Sequence, residues 1–401
     1  MRQRLAWLDG LRAVAVLLVL YAHLSRYLFR GAREFSSEWL NAGTAGVMLF
    51  FLVSGYIIPA SLERHGDLRR FWASRLRRLM PLYAVVSAAV VSLGIAGVVP
   101  LDPFLVDHPA TAVAAHAGMV PFLLGVPLVT PVFWTLTFEM VFYLLVTALF
   151  ALRIPRADAV LSVVLAAGGV ATAPLIPQLV PGSSPVTAGV IVLLGAGLFA
   201  VTSRRRRAVV IGGLLLGGLA GTLLVVNMDP AHSWDGLLIL AVMFTGTTVY
   251  RADHGQTGWW PVIVTGTVVA AALLANWFAE LTSLHALTPR YMTRSVITLL
   301  VFAGSFALGM ATRHLRTPRW LAHAGVISYS VYLVHYVLIQ LLAPALPRNL
   351  PVPAQALAVV AYLTLLSGIC ELTYRFVELP GQRLGRRRAP APADDRHGLA
   401  G

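Results

Sequence analysis

The residues able to do chemistry are few and fall in four stretches. The first is Leu8–His23, LDGLRAVAVLLVLYAH, in which Arg12 and His23 are eleven positions apart. On a helix rising about 1.5 Å per residue that separation is about 16 Å. If Arg12 marks one face of a hydrocarbon layer about 30 Å thick, His23 lies past its middle, and an ionisable group at that depth points to function. A histidine that only hydrogen-bonds a neighbouring helix fits the same pattern. The second stretch, FWASRLRRLMP (Phe71–Pro81), sets Arg75 and Arg78 three apart on one helical face. Arginine forks at a membrane surface grip phosphates bidentately, although ordinary loop charge accounts for most other arginines in this chain. The third is FWTLTFEMVFYLL (Phe133–Leu145). Its Glu139 sits about 12 Å inside a span that begins near Pro131, a depth broadly similar to that of His23. A buried carboxylate needs a partner, so the expectation is that Glu139 pairs with His23 and fixes its tautomer. Trp134 and Tyr143 are candidate substrate contacts, or interfacial and core aromatics. The fourth stretch is ISYSVYLVH (Ile327–His335), where Tyr329, Tyr332 and His335 form either a binding group or a packing cluster.

The elements that must position these groups are apolar helices. Of 401 residues, 58% are hydrophobic and only 12% are charged, about half the charge of a soluble domain. The chain is expected to be an all-α, polytopic membrane helical bundle with no room for a sizeable soluble domain. Spans are expected at approximately 8–28, 44–62, 79–99, 131–152, 157–177, 185–202, 208–226, 234–250, 259–280, 293–312, 321–345 and 354–377. That makes twelve transmembrane helices, or ten if two segments are re-entrant or interfacial. The first run is too long for a signal peptide and lacks a cleavage site, so it reads as a retained span. The stretch 109–127, broken by His116, Pro121 and Pro127, is expected to lie in or on the outer leaflet.

Charge sets the orientation. The net charge is +14 and the chain has no lysine. Arginines cluster at the N-terminus (Arg2, Arg4), in the second loop (Arg64–Arg78) and around Arg153, Arg156, Arg204–Arg207, Arg251, Arg313–Arg319 and Arg383–Arg388. The intervening loops are nearly bare, with Arg30, Arg33, Arg290 and Arg348 as exceptions. This alternation places both termini in the cytoplasm. It also explains the basic balance without nucleic acid. Residues 1–380 read as one membrane domain and 381–401 as a disordered cytoplasmic tail. The single cysteine, Cys370, excludes an internal disulfide. The histidines lack ligand spacing and H-E-x-x-H is absent, so no metal is expected.

Taken in order, these stretches resemble the acyltransferase type 3 family of integral membrane O-acyltransferases. The resemblance rests on LDGLRAVAVLLVLYAH with its Arg-x10-His spacing, FFLVSGYII (Phe50–Ile58), and the Arg-x-x-Arg motif at Arg75–Arg78 followed by Leu79 and Pro81. FWTLTFEMVFYLL, SYSVYLVH and RFVELP (Arg375–Pro380) complete it, covering residues 5 to about 380. Met140 stands where the more typical motif has a second acidic residue, so Glu139 alone carries over. Some members continue into an esterase-like domain. This sequence stops after the membrane part, so transfer is expected to be completed by the membrane domain alone or with a partner.

The resemblance implies an acyl-CoA donor, acetyl-CoA or another short acyl-CoA, and no permanently bound cofactor. It also implies a hydroxyl acceptor on a carbohydrate or glycosylated metabolite. Arg12, Arg75 and Arg78, with Arg77 assisting, would hold the CoA phosphates. His23 would act as general base with Glu139 behind it, or would carry the acyl group transiently. Trp134, Tyr143, Tyr332 and His335 would line the substrate. The expected location is the cytoplasmic membrane. A glycan or lipid transporter or flippase is the competing reading. The absence of an internal repeat and the Arg-x-x-Arg motif count against it.

Overall fold

The computed structural model describes residues 6–28, 30–154, 156–172, 182–226, 233–345 and 350–384. The chain runs through α1 (Ala6–Leu24), α2 (Arg30–Trp39), α3 (Ala42–His65), α4 (Leu68–Ile95), α5 (Pro103–Asp107), α6 (Pro109–Ala117), α7 (Trp134–Leu152), α8 (Asp158–Thr172) and α9 (Ser184–Val201). It continues with α10 (Arg206–Val226), α11 (Ser233–Asp253), α12 (Trp260–Ser283), α13 (Pro289–Ala311), α14 (Arg319–Val326), α15 (Ser328–Leu342), α16 (Val352–Thr373) and α17 (Leu379–Leu384). A π-helical turn, Tyr374–Glu378, joins the last two. There is no strand among the described residues. Among the described residues, ten helices are long and apolar enough to cross a membrane: α1, α3, α4, α7, α9, α10, α12, α13, α15 and α16. Their outer faces carry exposed Phe199, Trp260, Leu300 and Phe376, as a lipid-facing surface requires.

The chain is thus a polytopic membrane helical bundle. The other two expected spans, at α8 and α11, are helical but are not among those ten. Only 15 residues of α8 are described, and α11 ends on Arg251 and Asp253. The expected eleventh span is two helices, broken at Ile327 between α14 and α15. The stretch 109–127 forms α6 and a short 3-10 turn, with His116 buried. The His116 Nδ1 faces the Ala112 carbonyl and its Nε2 accepts from the Val129 amide, so both ring nitrogens serve that turn. The expected tail start, residue 381, lies inside α17. Residues 385–401, Arg2, Arg4 and Arg348 lie outside the described residues.

The bundle is built around α3, which packs between α1 and α11. Every residue of α11 from 236 to 250 is buried, which is why its sequence is apolar all round rather than striped. Two glycines let these helices touch backbone to backbone. A Cβ on Gly55 would lie 1.9 Å from the Met243 carbonyl oxygen, and one on Gly246 would lie 2.4 Å from that of Leu52. In lipid, where burial of apolar surface gives no drive for association, such close approach is what holds helices together. The α1–α14 contact is as tight, since a Cβ on Gly325 would meet the Asp9 carbonyl oxygen at 1.7 Å.

Polar clamps fasten the arginine-rich end. Arg251 donates to Asp158 at 2.6 Å, Glu63 at 2.7 Å and Gln256 at 2.9 Å, tying α3, α8 and α11. Asp253 accepts from Tyr56 at 2.5 Å and from Arg313 at 2.9 Å, tying α3, α11 and α13. Arg251 and Arg313, read from sequence as orientation charge, are therefore also structural.

Two outcomes follow from this packing. Gly55→Ala should destabilise by at least the ~1–3 kcal/mol of ordinary overpacking, seen as a lower thermal midpoint in detergent. Gly221→Ala, with nothing within 4 Å of its added Cβ, should not. For topology, a cysteine at Asp107 should react with an impermeant maleimide from outside intact cells. One at Arg205 should react only after permeabilisation, and the native Cys370 is buried.

Candidate active site

Three short-range features place the chemistry-bearing side chains. At the corner between α3 and α4, Gly66 takes φ +62 and closes α3 through its N–H to the Leu62 carbonyl at 2.8 Å. The next residue, Asp67, caps α4 by accepting from the Arg70 amide at 3.2 Å. This abrupt turn fixes Arg75 and Arg78 on the second and third turns of α4. On the opposite side, Thr288 caps α13 by accepting from the Tyr291 amide at 3.3 Å. At the α14–α15 break, the N-terminal turn of α15 brings Ser328 and Tyr329 towards the same interior.

Between these elements lie three cavities in series. The first, about 480 Å³, is at the arginine-rich end and is lined by Asp9, Arg12, Arg64, Arg75, Arg78 and Glu378, among others. Arg12, Arg75 and Arg78 also line a throat of about 80 Å³, together with Ser54, Glu139, Tyr329 and Tyr332. Val47 and Tyr332 then belong to both the throat and an outer chamber of about 500 Å³, which holds His23, Trp134 and Trp277. His23 lies in the last turn of α1, closer to the helix end than a span over 8–28 implied.

The arginines are undercompensated. Arg12 meets one carboxylate among the described residues, Asp9 at 3.3 Å. No carboxylate lies within 4 Å of Arg75 or Arg78 among the described residues. The Arg75 side chain is 7% exposed and its Nε has no hydrogen-bond partner. The Arg75 guanidinium sits over the rings of Phe71 and Tyr143, 5.4 and 5.7 Å from their centroids. Cation–π contact of this kind offsets part of the cost of burying the charge and leaves the N–H donors for an incoming anion.

Several expected roles are revised. His23 and Glu139 do not pair: Glu139 lines the throat and accepts a hydrogen bond from Tyr143, whereas His23 lies in the outer chamber beside His335 and Tyr336, with ring centroids 5.3 and 5.2 Å away. Matched depth on α1 and α7 does not make the two residues face each other, because rotation about each axis is set separately by packing. Tyr143 is 1% exposed and lines none of the three cavities, so it holds Glu139 rather than substrate. Tyr332 lines two cavities with its ring, but its hydroxyl accepts from Thr135 at 2.9 Å and faces the Val132 carbonyl at 3.1 Å. That hydroxyl is committed to the start of α7. His335 is wholly buried and lines none of these three cavities. Its Nδ1 lies 2.7 and 3.0 Å from the Tyr332 and Val331 carbonyls, so Nδ1 carries the proton and Nε2 the lone pair. Arg77 lines none of these cavities. Trp134 lies in the outer chamber as a substrate contact would.

Sequence reasoning passed over Asp9, Ser54, Trp277, Arg294 and Glu378. The buried Glu378 accepts from Ser330 next to the throat. A π-turn such as Tyr374–Glu378, common at functional sites, leaves no readable sequence pattern.

This arrangement can be set against known proteins. The acyltransferase-domain family matches residues 5–372. The chain belongs to that family. Among relatives, the chain is 25% identical to a peptidoglycan O-acetyltransferase of Listeria monocytogenes over 94% of its own length and 56% of the Listeria protein. It is 40% identical over 91 residues to a Bacillus subtilis protein provisionally named a peptidoglycan O-acetyltransferase. It is 38% identical over 89 residues to a Staphylococcus aureus protein provisionally named an O-acetyltransferase. Each of those two matches covers 21% of this chain and 13% of the relative, so the chain spans at most little more than half the length of these relatives. No solved structure matches.

An unpaired buried cation contributes little to stability. Arg75→Met should therefore hold or raise the thermal midpoint of the protein in detergent. A fall of several degrees would show that the guanidinium is there for structure.

Proposed function

We propose that the chain is an integral membrane O-acyltransferase that moves a short acyl group, acetyl in the first instance, from acyl-CoA to a hydroxyl of a carbohydrate or glycosylated acceptor. The observation that carries this reading is the series of cavities running from three undercompensated arginines, through a throat, to a histidine.

CoA brings several phosphates and a long thin arm. Arg12, Arg75 and Arg78 offer the fork geometry for phosphate, in a chamber whose arginines outnumber its carboxylates. The throat admits an arm but not a nucleotide. The Arg12-to-His23 rise of about 16 Å along α1 is comparable to the length of a pantetheine arm. Glu139, held by Tyr143, faces the arm where its amide N–H groups pass. The expected role of Glu139 behind the base is replaced by this one, in which it balances the arginines and accepts from the donor.

At the outer end, the acceptor hydroxyl meets His23. The imidazole takes the hydroxyl proton as the oxygen attacks the thioester carbonyl. The tetrahedral intermediate collapses, the C–S bond breaks, and the departing CoA sulfur receives the proton from the imidazolium. His335, with Nδ1–H committed to backbone carbonyls, packs against the His23 ring and fixes its orientation. Positive-inside placement puts the donor side in the cytoplasm. The O-acetyltransferase names of the relatives favour acetyl, and two of those names favour a glycan acceptor.

The test is binding and turnover of acetyl-CoA by the purified protein in detergent. His23→Ala should abolish CoA release while the protein still inserts and binds donor. Arg78→Ala should raise the donor KM about 10–100-fold, the worth of a charge-assisted hydrogen bond of about 1.5–3 kcal/mol. Wild-type protein that neither binds nor turns over acyl-CoA would overturn the reading in favour of transport.

A further inference from the structure

The outer chamber contains more than a base. Arg290 and Arg294 lie one turn apart on α13, at the end of the bundle where arginine is otherwise sparse. Arg290 is exposed and pairs with Glu38 at 3.1 Å. Arg294 lines the chamber, its Nε is buried without a hydrogen-bond partner, and no carboxylate lies within 4 Å of it among the described residues. The Tyr291 ring lies 5.6 Å from its guanidinium carbon. Glu280 lines the same chamber without reaching it. Arg26 adds a second guanidinium to the lining, and Arg33 donates to the Ala22 carbonyl at 3.1 Å nearby. Burial and the like charge of Arg26 hold Arg33 below the usual arginine range, as expected where positive charge accumulates. A half-buried guanidinium that lines a chamber with no carboxylate in contact among the described residues points to a ligand that supplies one. The fork of an arginine fits a carboxylate or a phosphate.

The rest of the chamber describes the body attached to that anion. Two indoles, Trp134 and Trp277, face a volume of about 500 Å³. Hydroxyl and amide side chains from Asn41, Thr44 and Ser295 line the same chamber. Flat aromatic faces with scattered polar groups suit a sugar, which offers C–H faces to indoles and hydroxyls to the polar groups. The floor is rigid where it must be, since the Thr298 hydroxyl accepts from the Asn41 amide at 3.1 Å and locks α13 to the start of α3.

We propose that this chamber takes an acidic carbohydrate, its ring against Trp134 and Trp277 and its carboxylate or phosphate on the guanidinium of Arg294. The inference rests on the reading of His23 as the group that activates the acceptor hydroxyl, and it names the acceptor's chemical class. Arg294 is the residue that selects for charge.

The experiment is equilibrium binding to the purified full-length protein without donor, so that it reads the chamber independently of acyl transfer. The probes are a glucuronic-acid disaccharide against its methyl ester, and N-acetylglucosamine 6-phosphate against N-acetylglucosamine. The acidic member of at least one pair should bind at least tenfold more tightly, and which pair does so separates carboxylate from phosphate. Arg294→Gln should erase the preference and Arg294→Lys should keep part of it. Should Arg294→Gln fail to fold, the wild-type preference must instead shrink steadily with added salt. Equal binding within both pairs, or a preference that survives Arg294→Gln, overturns the inference. So does displacement of the acidic sugar by a short-chain phosphatidylglycerol that binds more tightly, which would make this a lipid-headgroup site. Acidic-sugar selectivity without any acyl-CoA turnover would sustain the chamber's assignment and remove the acyltransferase reading. Transfer to acidic and neutral acceptors alike would do the reverse.

Discussion

Guanidinium groups with one carboxylate contact or none among the described residues, set between apolar helices, are the constraint on which the rest of this structure depends. Each must be tolerated before its counter-ion arrives, and the fold shows how. Arg75 is laid over the faces of Phe71 and Tyr143, Arg12 keeps a single contact to Asp9, and Arg294 rests near Tyr291. These contacts are weak enough to leave most N–H donors unused and strong enough to hold the planes still. A full salt bridge would be more comfortable for the isolated protein and would remove the anion site. The contrast with Arg251 shows this: bonded to Asp158, Glu63 and Gln256, all three of its nitrogens are held by the protein and its charge is balanced by two carboxylates.

That tolerance relies on a scaffold that does not relax. A loose bundle would let the arginines swing out to solvent or headgroups, which costs less than staying inside. Here α3 is gripped on both sides, by α11 through Gly55 and Gly246 and by α1 through Gly46, whose added Cβ would lie 2.6 Å from the Ala15 carbonyl oxygen. The Gly66–Asp67 corner then leaves α4 little freedom relative to α3. Rigid backbone contact at the centre thus fixes the direction of Arg75 and Arg78 at the edge.

Much of this was legible in the sequence, and the boundary of legibility has a physical cause. Helix positions and depths are one-dimensional properties, so most of the spans and the Arg12–His23 separation could be read from spacing and hydropathy, while the grouping of Arg12 with Arg75 and Arg78 came from the family resemblance. Azimuth is not one-dimensional. Glu139 and His23 share a depth, yet Glu139 is turned towards the throat by its bond to Tyr143 and by the burial of its neighbours Phe138, Met140 and Val141. The family motifs located both residues without giving their relation. Trp277 and Arg294 carried no signal because a tryptophan and an arginine near the end of a span are what any membrane interface shows. The break at Ile327 was hidden for a similar reason: α14 and α15 are apolar on both sides of it, and only the contact of Gly325 with Asp9 reveals why the chain must turn there.

The sizes of the three cavities add a last step. A throat of about 80 Å³ between chambers of about 480 and 500 Å³ separates the two ends of the proposed reaction by bulk and by charge. In the proposed reaction a nucleotide would stay on the side of Arg12, Arg75 and Arg78, and a sugar on the side of the indoles. Only the thin uncharged arm between phosphate and thioester fits the space in which both ends communicate. Tyr332 stands at that junction with its ring in both cavities and its hydroxyl tied to Thr135 and the Val132 carbonyl. Its position is therefore fixed by the first turn of α7, the same helix that carries Glu139 below the junction and Trp134 above it. One helix thus holds a wall of each compartment, so their alignment across the bundle does not depend on loops.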